Sequence, residues 1–377
     1  MSVRISPALT AMAAYPFVRL EEARRRLVAD GIVPIDFGKG DPNEPTDPII
    51  RQALVDALPV RAAYPLAEGL PELREAAAGW VGRRFGVGLD PGTEIVPTYG
   101  SKEAIFSFAE VVDVADRTVA FGEPAYPVYE RGAVLAGARV RALPLVRERG
   151  FLPDLSELDD DVALVWVNYP HNPTGAVASR EFFDELAEAA EQHDFVIASD
   201  EAYSELWFDE APVSALQAFD RSRVVAFHTL SKRSSMTGYR AGFVAGPPEV
   251  IAALKAYRPT VGTAPQEFVQ RASVVAWSDE RHVEETRARY AAKRDVLLPA
   301  LADRGWEVVA SEATMYLWVA IATDESDEAV AGRLLARGIV VSPGTFFGPS
   351  GAGYVRFALV PTFEECERAA SILSEVL

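Results

Sequence analysis

Residues 162–175, VALVWVNYPHNPTG, join a short apolar run to a polar cluster rich in turn residues. The stretches 195–203 (FVIASDEAY) and 224–233 (VVAFHTLSKR) repeat this arrangement. Short runs rich in Val, Ile and Phe that end at turn residues are typical of buried strands. Stretches with helical spacing, such as 101–114 and 180–193, lie between the runs. This alternation predicts an α/β fold with a mostly parallel sheet between helices.

The last third of the chain has a different pattern. Residues 279–304 are densely charged with few breakers, which predicts one long helix. Strand-like runs at 306–309, 316–321, 339–341 and 354–359 follow, with helical stretches at 327–337 and 362–376. We therefore expect a second, smaller α+β domain that the long helix joins to the first.

Composition excludes several classes of protein. The 377 residues carry a net charge of −18, which disfavours nucleic-acid binding. Cys366 is the only cysteine, so no intrachain disulfide forms, and the four histidines lack metal-ligand spacing. No apolar run reaches the length of a membrane helix, and the N-terminus lacks the layout of a signal peptide. We predict a cytoplasmic protein with no metal, no nucleic-acid partner and no membrane association.

The polar clusters indicate a particular chemistry. Ligands of open α/β sheets bind beyond the carboxyl ends of the strands, where these clusters supply an amide, a carboxylate, a phenol, a hydroxyl and an amine. Pyridoxal phosphate requires a lysine for its carbonyl, an acid for its pyridine nitrogen and a cradle for its phosphate. Gly100–Ser101–Lys102, which opens a predicted helix, and Arg240 are candidates for the cradle.

The motifs also resemble those of a known family. Ser231–Lys232 precedes a Gly-x-Arg-x-Gly motif at 238–242, and Asn172–Pro173–Thr174–Gly175, Asp200 and Tyr203 precede both in order. Over nearly its whole length the chain resembles the fold-type I pyridoxal-phosphate aminotransferases of the aspartate aminotransferase superfamily. The resemblance implies a seven-stranded, mostly parallel sheet in a large domain (46–280). It also implies an N-terminal arm (1–45) that belongs to a small C-terminal α+β domain (281–377).

The resemblance implies a role for each matching residue. Lys232 would bind the cofactor covalently and move the reacting proton, and Asp200 would pair with the pyridine nitrogen. The other cofactor contacts would come from Tyr203 and Asn172 on the 3-hydroxyl, Tyr126 on the ring, Ser101, Lys102, Thr229, Ser231 and Arg240 on the phosphate, and Tyr64 reaching the phosphate of the other subunit in a homodimer. Gly40, Asn172 and Arg356 would hold the substrate carboxylate, and the Asn172–Pro173 bond is expected to be cis.

Longer stretches, such as Phe37–Pro42 and Pro343–Pro349, are similar to those of N-succinyldiaminopimelate aminotransferases. This narrower resemblance implies amino transfer from a donor, expected to be glutamate, to N-succinyl-2-amino-6-oxopimelate in lysine and diaminopimelate biosynthesis. Lys39, Arg233 and Arg258 are candidate cations for the distal carboxylate of such a substrate, although each is equally compatible with a solvated surface cation.

Other functions stay open beside this one. An aspartate, alanine or aromatic aminotransferase, or a β-lyase, would use the same cofactor residues. A nicotinamide dehydrogenase is disfavoured because Gly38–Lys39–Gly40 is followed by Asp41–Pro42, without the final glycine and the helix that a dinucleotide site needs. A cofactor-sensing transcription regulator would need a DNA-binding segment ahead of the motifs, which begin by Gly40.

Overall fold

A computed structural model describes residues 3–12, 17–29, 31–321 and 325–375. Its helices are α1 Pro7–Ala11, α2 Phe17–Ala29, α3 Pro48–Asp56, α4 Pro71–Phe85, α5 Gly100–Ser107, α6 Val128–Leu135, α7 Arg180–His193, α8 Leu230–Arg233, α9 Pro248–Thr260, α10 Glu267–Ser278, α11 Arg281–Ala302, α12 Asp327–Ala336 and α13 Phe363–Ser374. Its strands are β1 Ile35–Asp36, β2 Ile95–Thr98, β3 Thr118–Glu123, β4 Arg139–Pro144, β5 Val162–Val167, β6 Val196–Asp200, β7 Val224–Thr229, β8 Gly242–Ala245, β9 Glu307–Val308, β10 Tyr316–Ala320, β11 Ile339–Val340, β12 Ser342–Pro343 and β13 Tyr354–Ala358.

The centre of the fold is a seven-stranded sheet of order β2-β8-β7-β6-β5-β3-β4. Only β8 runs against its neighbours, so the predicted mostly parallel sheet is confirmed. The three strands that carry the polar clusters, β5, β6 and β7, lie side by side. Their carboxyl ends therefore meet at one edge of the sheet.

Apolar residues cover both faces of this sheet. Along β5, Val165 and Val167 belong to one buried cluster, and Leu164 and Trp166 belong to another. Because side chains alternate between the two faces of a strand, the two clusters are cores on opposite sides of the sheet. The strands are buried on both faces, which explains their continuous apolar runs.

The C-terminal part forms a second unit with its own core. Strands β12, β13, β10 and β9 form an antiparallel sheet, and α11 and α13 pack together. Ile35 and Phe37 lie in the same apolar cluster as Leu317 and Phe357, and β1 pairs with β11. These contacts support the proposal that the end of the N-terminal arm (residues 1–45) belongs with the small domain, although helix α1 of the same arm contacts α6 of the large domain. The bounds 46–280 of the large domain stay a prediction.

Most predicted elements of the C-terminal part end within one or two residues of the observed ones, and two helices show what moves such an end. The helix predicted over 101–114 ends at Ser107 and tightens into a 3₁₀ turn at Phe108–Glu110. The long helix begins at Arg281 because the Asp279 side chain accepts a hydrogen bond from the backbone N–H of His282, as an N-terminal cap does. Within the described part of the chain, no helix is long and apolar enough to cross a membrane.

Candidate active site

A cavity of about 410 Å³ opens where the carboxyl ends of β5, β6 and β7 meet the small domain. Every predicted site residue except Tyr64 lines it, namely Gly40, Ser101, Lys102, Tyr126, Asn172, Asp200, Tyr203, Thr229, Ser231, Lys232, Arg240 and Arg356. The sheet, the start of α5 and β13 thus bring together residues that are far apart in the sequence.

Lys232 lies in α8, the single helical turn that follows β7. Its Nζ donates a hydrogen bond to the carbonyl oxygen of Gly40. Burial lowers the pKa of the Lys232 amine to about 8, although the carboxylate of Asp41 acts in the opposite direction. With this pKa about a tenth of the amine is neutral at pH 7, far more than for an ordinary lysine, and this fraction can act as nucleophile and base.

Asp200 ends β6 and is almost fully buried. One carboxylate oxygen accepts a hydrogen bond from the Tyr129 hydroxyl (2.8 Å), and the other accepts one from the backbone N–H of Ala202 (3.2 Å). Burial raises the pKa of Asp200 to about 6. Among the described residues, no lysine or arginine forms an ion pair with this carboxylate, so it is suited to a cationic group of a ligand.

The opposite end of the cavity can accept an anion. Helix α5 begins at Gly100, and Ser101 and Lys102 follow in its first turn, where backbone N–H groups point outward. The Arg240 guanidinium lies over this turn and donates to the carbonyl oxygens of Tyr99 (3.1 Å) and Thr237 (2.8 Å). The Thr229 hydroxyl donates to the Ser231 hydroxyl at 3.0 Å. Together these groups form a phosphate-sized cradle.

Gly100 is required by this cradle. Its backbone is left-handed (φ +68°), and a Cβ there would lie 3.0 Å from Arg240 Nη2 and 3.4 Å from Thr229 Oγ1. A side chain would therefore occupy the space between the arginine and the helix start. The close approach keeps the N–H groups of α5 and the guanidinium directed at the same point.

Arg356, on β13, brings a buried cation to the other side of Lys232. Its guanidinium donates to Asn172 Oδ1 (2.9 Å) and to the carbonyl oxygen of Gly38 (3.0 Å). The rings of Tyr316 and Phe347 lie 4.2 and 4.5 Å from its Cζ atom. This planar, oriented guanidinium is suited to hold a carboxylate in a fixed orientation.

The residues present fit pyridoxal phosphate. One cavity is lined by a buried carboxylate that forms no ion pair with a lysine or arginine of the described residues, an amine with a lowered pKa, an anion cradle and the Tyr126 ring. Pyridoxal phosphate requires such groups: a carboxylate for its pyridine nitrogen, an amine for its carbonyl carbon and an anion site for its phosphate. The Tyr126 ring would form an aromatic wall beside the cofactor ring. Tyr126 has the Lys102 ammonium 5.7 Å from its ring centre, and its ring contacts that of Tyr129 edge to face.

Residues 33–373 match the family model of aminotransferase class I and II. The chain belongs to this family. It is accordingly a pyridoxal-phosphate-dependent aminotransferase acting on small amino and keto acids, and the predicted cofactor is confirmed. The individual roles of the site residues stay predictions, supported by their placement in the cavity.

Three related aminotransferases show how far the similarity extends. LL-diaminopimelate aminotransferase 2 of Trichormus variabilis is 38% identical over 94% of both chains. The aspartate aminotransferase of Thermus thermophilus solved with maleate superposes with a TM-score of 0.92, at 28% identity over 100% of both chains. A probable N-succinyldiaminopimelate aminotransferase from Thermus thermophilus gives a TM-score of 0.89, at 30% identity over 96% of this chain and 100% of the other.

Sequence reasoning missed several residues of the aminotransferase site. Tyr129 donates to Asp200, Asn168 donates to the Asp200 carbonyl oxygen (2.7 Å), and Tyr316 shares a hydrogen bond with Tyr203 (2.8 Å). Asn168 directly follows β5, so the rule that led to Asn172 also applied to it. Tyr129 and Tyr316 gave no such signal, because Tyr129 lies inside helix α6 and Tyr316 begins strand β10, so neither directly follows the end of a strand.

Two of the three candidate cations for the distal carboxylate lie elsewhere. Arg233 is buried between Trp80 and Trp277 and pairs with Glu280, and Arg258 is buried and pairs with Glu103. Neither lines the cavity, because the two tryptophans and Glu280 hold Arg233, and Glu103 of α5 holds Arg258. Lys39 does line the cavity, and its ammonium contacts Glu21 of α2.

Two further predictions concern individual residues. The Asn172–Pro173 peptide bond is cis, as expected. Tyr64 is fully exposed and lies outside this chain's own cavity, a position compatible with the predicted reach into a partner subunit.

Proposed function

We propose that this aminotransferase exchanges the amino group of glutamate with a keto acid of the diaminopimelate class, a long substrate with a carboxylate at each end. The observation that carries the proposal is the pair of cations in one cavity. Arg356 is buried beside Lys232, and Lys39 lies at the half-exposed rim. With one carboxylate on Arg356 and the reacting carbon at Lys232, the distal carboxylate of a long substrate would extend toward Lys39 and would compete with Glu21 of α2 for its ammonium.

Each of these residues has a separate role in the proposed reaction. Arg356 binds the α-carboxylate with two parallel N–H groups and so fixes the Cα–H bond relative to Lys232. Lys232 Nζ accepts and returns the proton at that carbon. Asp200 would pair with the pyridine nitrogen of the cofactor, and the α5 cradle would hold its phosphate. When bound, the cofactor would supply an electron sink at the reacting carbon.

The distal group distinguishes two members of this substrate class. Free LL-diaminopimelate is favoured by the 38% identity to the aminotransferase from Trichormus variabilis that is named for it. The N-succinyl form is favoured by the motifs Phe37–Pro42 and Pro343–Pro349 and by the similarity to the probable N-succinyldiaminopimelate aminotransferase of Thermus thermophilus. Both place a carboxylate beyond the reacting end, so both require a rim cation.

The test is amino transfer to 2-oxoglutarate from LL-diaminopimelate, N-succinyl-LL-diaminopimelate, aspartate, alanine and phenylalanine, measured as glutamate formed. We expect one of the two diaminopimelate donors to have the highest kcat/KM. Lys39→Met should raise KM for that donor about tenfold or more and leave alanine unchanged, because alanine lacks a distal carboxylate. Aspartate, alanine or phenylalanine as the best donor would contradict the proposal. A β-lyase would form little glutamate from these donors and would instead release pyruvate and ammonia from an amino acid that carries a leaving group on its β carbon, such as cystathionine.

We also propose a homodimer with shared active sites, in which Tyr64 approaches the phosphate of the other subunit. Its support is the family and the complete exposure of the Tyr64 side chain in one chain. Two-fold dimers are the commonest closed assembly. The cytoplasmic location stays a prediction from the sequence.

A further inference from the structure

Helix α8, which carries Lys232, is one turn long and cannot fix its own orientation. Lys232 faces the cavity, whereas the next two residues face the opposite way and contact the end of α10 and the start of α11. We define residues 276–282 as the α10–α11 junction. It lies outside the cavity that contains the cofactor residues.

Arg233 makes the first attachment to the α10–α11 junction. Its Nη1 donates to the carbonyl oxygen of Ala276, and its Nη2 donates to Glu280 at 2.7 Å and to the carbonyl oxygen of Asp279 at 3.3 Å. Trp80 and Trp277 hold the guanidinium between them. An arginine that is 2% exposed and hydrogen-bonded through both terminal nitrogens has little freedom to move.

Ser234 makes the second attachment through a chain of hydrogen bonds. Its hydroxyl lies 2.8 Å from His282 Nε2, and His282 Nδ1 lies 2.6 Å from Asp279 Oδ2. Burial lowers the pKa of His282, so the ring is neutral at neutral pH. The Nδ1–H group of the neutral ring then donates a hydrogen bond to the Asp279 carboxylate, which leaves Nε2 to accept one from the Ser234 hydroxyl.

We propose that the Asp279–His282–Ser234 chain, together with Arg233, positions Lys232 by fixing α8 on the α10–α11 junction. Ser234 caps the C-terminus of α8, where its N–H donates to the Leu230 carbonyl oxygen. The two attachments therefore act on the residues that directly follow the lysine. A displacement of the amine by about 1 Å costs up to about a hundredfold in rate, so a support of this kind affects catalysis without touching substrate.

The test compares Ser234→Ala, His282→Ala and His282→Gln as holoenzymes. Each is mixed with whichever amino donor is active, so the outcome does not depend on the proposed substrate. His193→Gln is the matched control, because His193 pairs with Asp160 (2.7 Å) at the end of α7 and does not contact α8. The measurements are kcat, KM, the melting temperature and the pH midpoint of the bound cofactor's absorbance band.

For Ser234→Ala and His282→Ala we expect kcat to fall about tenfold or more with KM changed less than about threefold. The absorbance midpoint should shift by roughly half a pH unit or more, because the displaced amine has a different distance to Asp41, Asp200, Arg240 and Arg356. His282→Gln should restore part of kcat, since its amide oxygen replaces the Nε2 acceptor.

In the opposite result, Ser234→Ala and His282→Ala would have a lower melting temperature, but their kcat and absorbance midpoint would equal those of His193→Gln. That result would make the chain purely structural and overturn the proposal. If His282→Ala fails to fold or to retain cofactor, Ser234→Ala decides the question alone, since it removes a single oxygen atom.

Discussion

Arg356 is the residue on which substrate binding depends most in this account. Its two terminal nitrogens are oriented by Asn172 and by the Gly38 carbonyl oxygen, and two aromatic rings enclose it. Lysine keeps the charge but loses the planar pair of donors. We expect Arg356→Lys to lower kcat/KM about tenfold to a hundredfold for the amino donor and for the keto acid alike, because both bring the same carboxylate to one site. Steady-state kinetics on each substrate measure this, and unchanged values for both would place the carboxylate elsewhere.

Asp200 makes the free energy of unfolding of the cofactor-free protein depend on pH. Burial raises its pKa from 3.8 to about 6, so the folded protein binds this proton more tightly than the unfolded chain does. The associated stability is fully present below about pH 4 and is lost as the pH rises through about 6. At pH 8 the buried charge therefore costs about 1–3 kcal/mol in the absence of the pyridinium.

We expect cofactor-free Asp200→Asn to be more stable than cofactor-free wild type at pH 8, with a smaller difference at pH 4.5. Urea unfolding at the two pH values measures the difference, and Glu201, whose pKa burial raises to about 7, cancels because both proteins contain it. A stability difference of the same size at both pH values would contradict this prediction, because it would show that folding does not raise the pKa of Asp200. With cofactor bound the order should reverse, because the asparagine cannot neutralise the ring nitrogen.

The sequence predicted those residues of the candidate site that lie in contiguous motifs at the ends of strands. Lys232, Asp200 and Asn172 were found in this way, because the position of a strand end along the chain fixes where its next residues lie. Tyr129 and Tyr316 were not found, since their contacts depend on how two distant elements pack. Arg233 and Arg258 were misplaced as candidates for a related reason: proximity to a motif does not give the direction of a side chain.

Helix α5 contributes its N-terminus, and Gly100 sets the fit between that terminus and Arg240. We expect Gly100→Ala to weaken cofactor binding about tenfold or more, because the Cβ would displace the guanidinium from the cradle. Gly86→Ala is the control: it has nearly the same backbone angle (φ +70°) and no atom within 4 Å of the added Cβ. Cofactor titration by absorbance compares the two, and equal losses would attribute the effect to backbone strain alone.

Helices and strands could be predicted wherever the spacing of apolar residues was regular, as for β5, β6, β7 and α7. Strands of two residues, such as β1 and β11, could not be predicted as a pair, because their pairing joins residues about 300 positions apart and has no local pattern. The same reason applies to the packing of Phe37 with the C-terminal sheet. Helix ends were wrong where a tightened turn or a cap determined them.

The whole molecule is expected to work as a dimer with two shared sites. We expect Lys232→Ala and Tyr64→Ala homodimers to have low activity. A mixture of the two, unfolded and refolded together, should regain up to about a quarter of wild-type activity, because each mixed dimer contains one site with both residues intact. No gain on mixing, together with an active monomer in size-exclusion chromatography, would contradict shared sites.

The central claim is that Lys232 holds pyridoxal phosphate in this cavity, and one measurement tests it most directly. Borohydride converts a lysine–cofactor double bond into a stable single bond, after which digestion and mass spectrometry identify the lysine that carries the added mass. The account predicts the cofactor mass on the peptide that contains Lys232, and no such peptide from Lys232→Ala. The mass on Lys39 or Lys102, or its absence from every lysine of an active enzyme, would contradict the account.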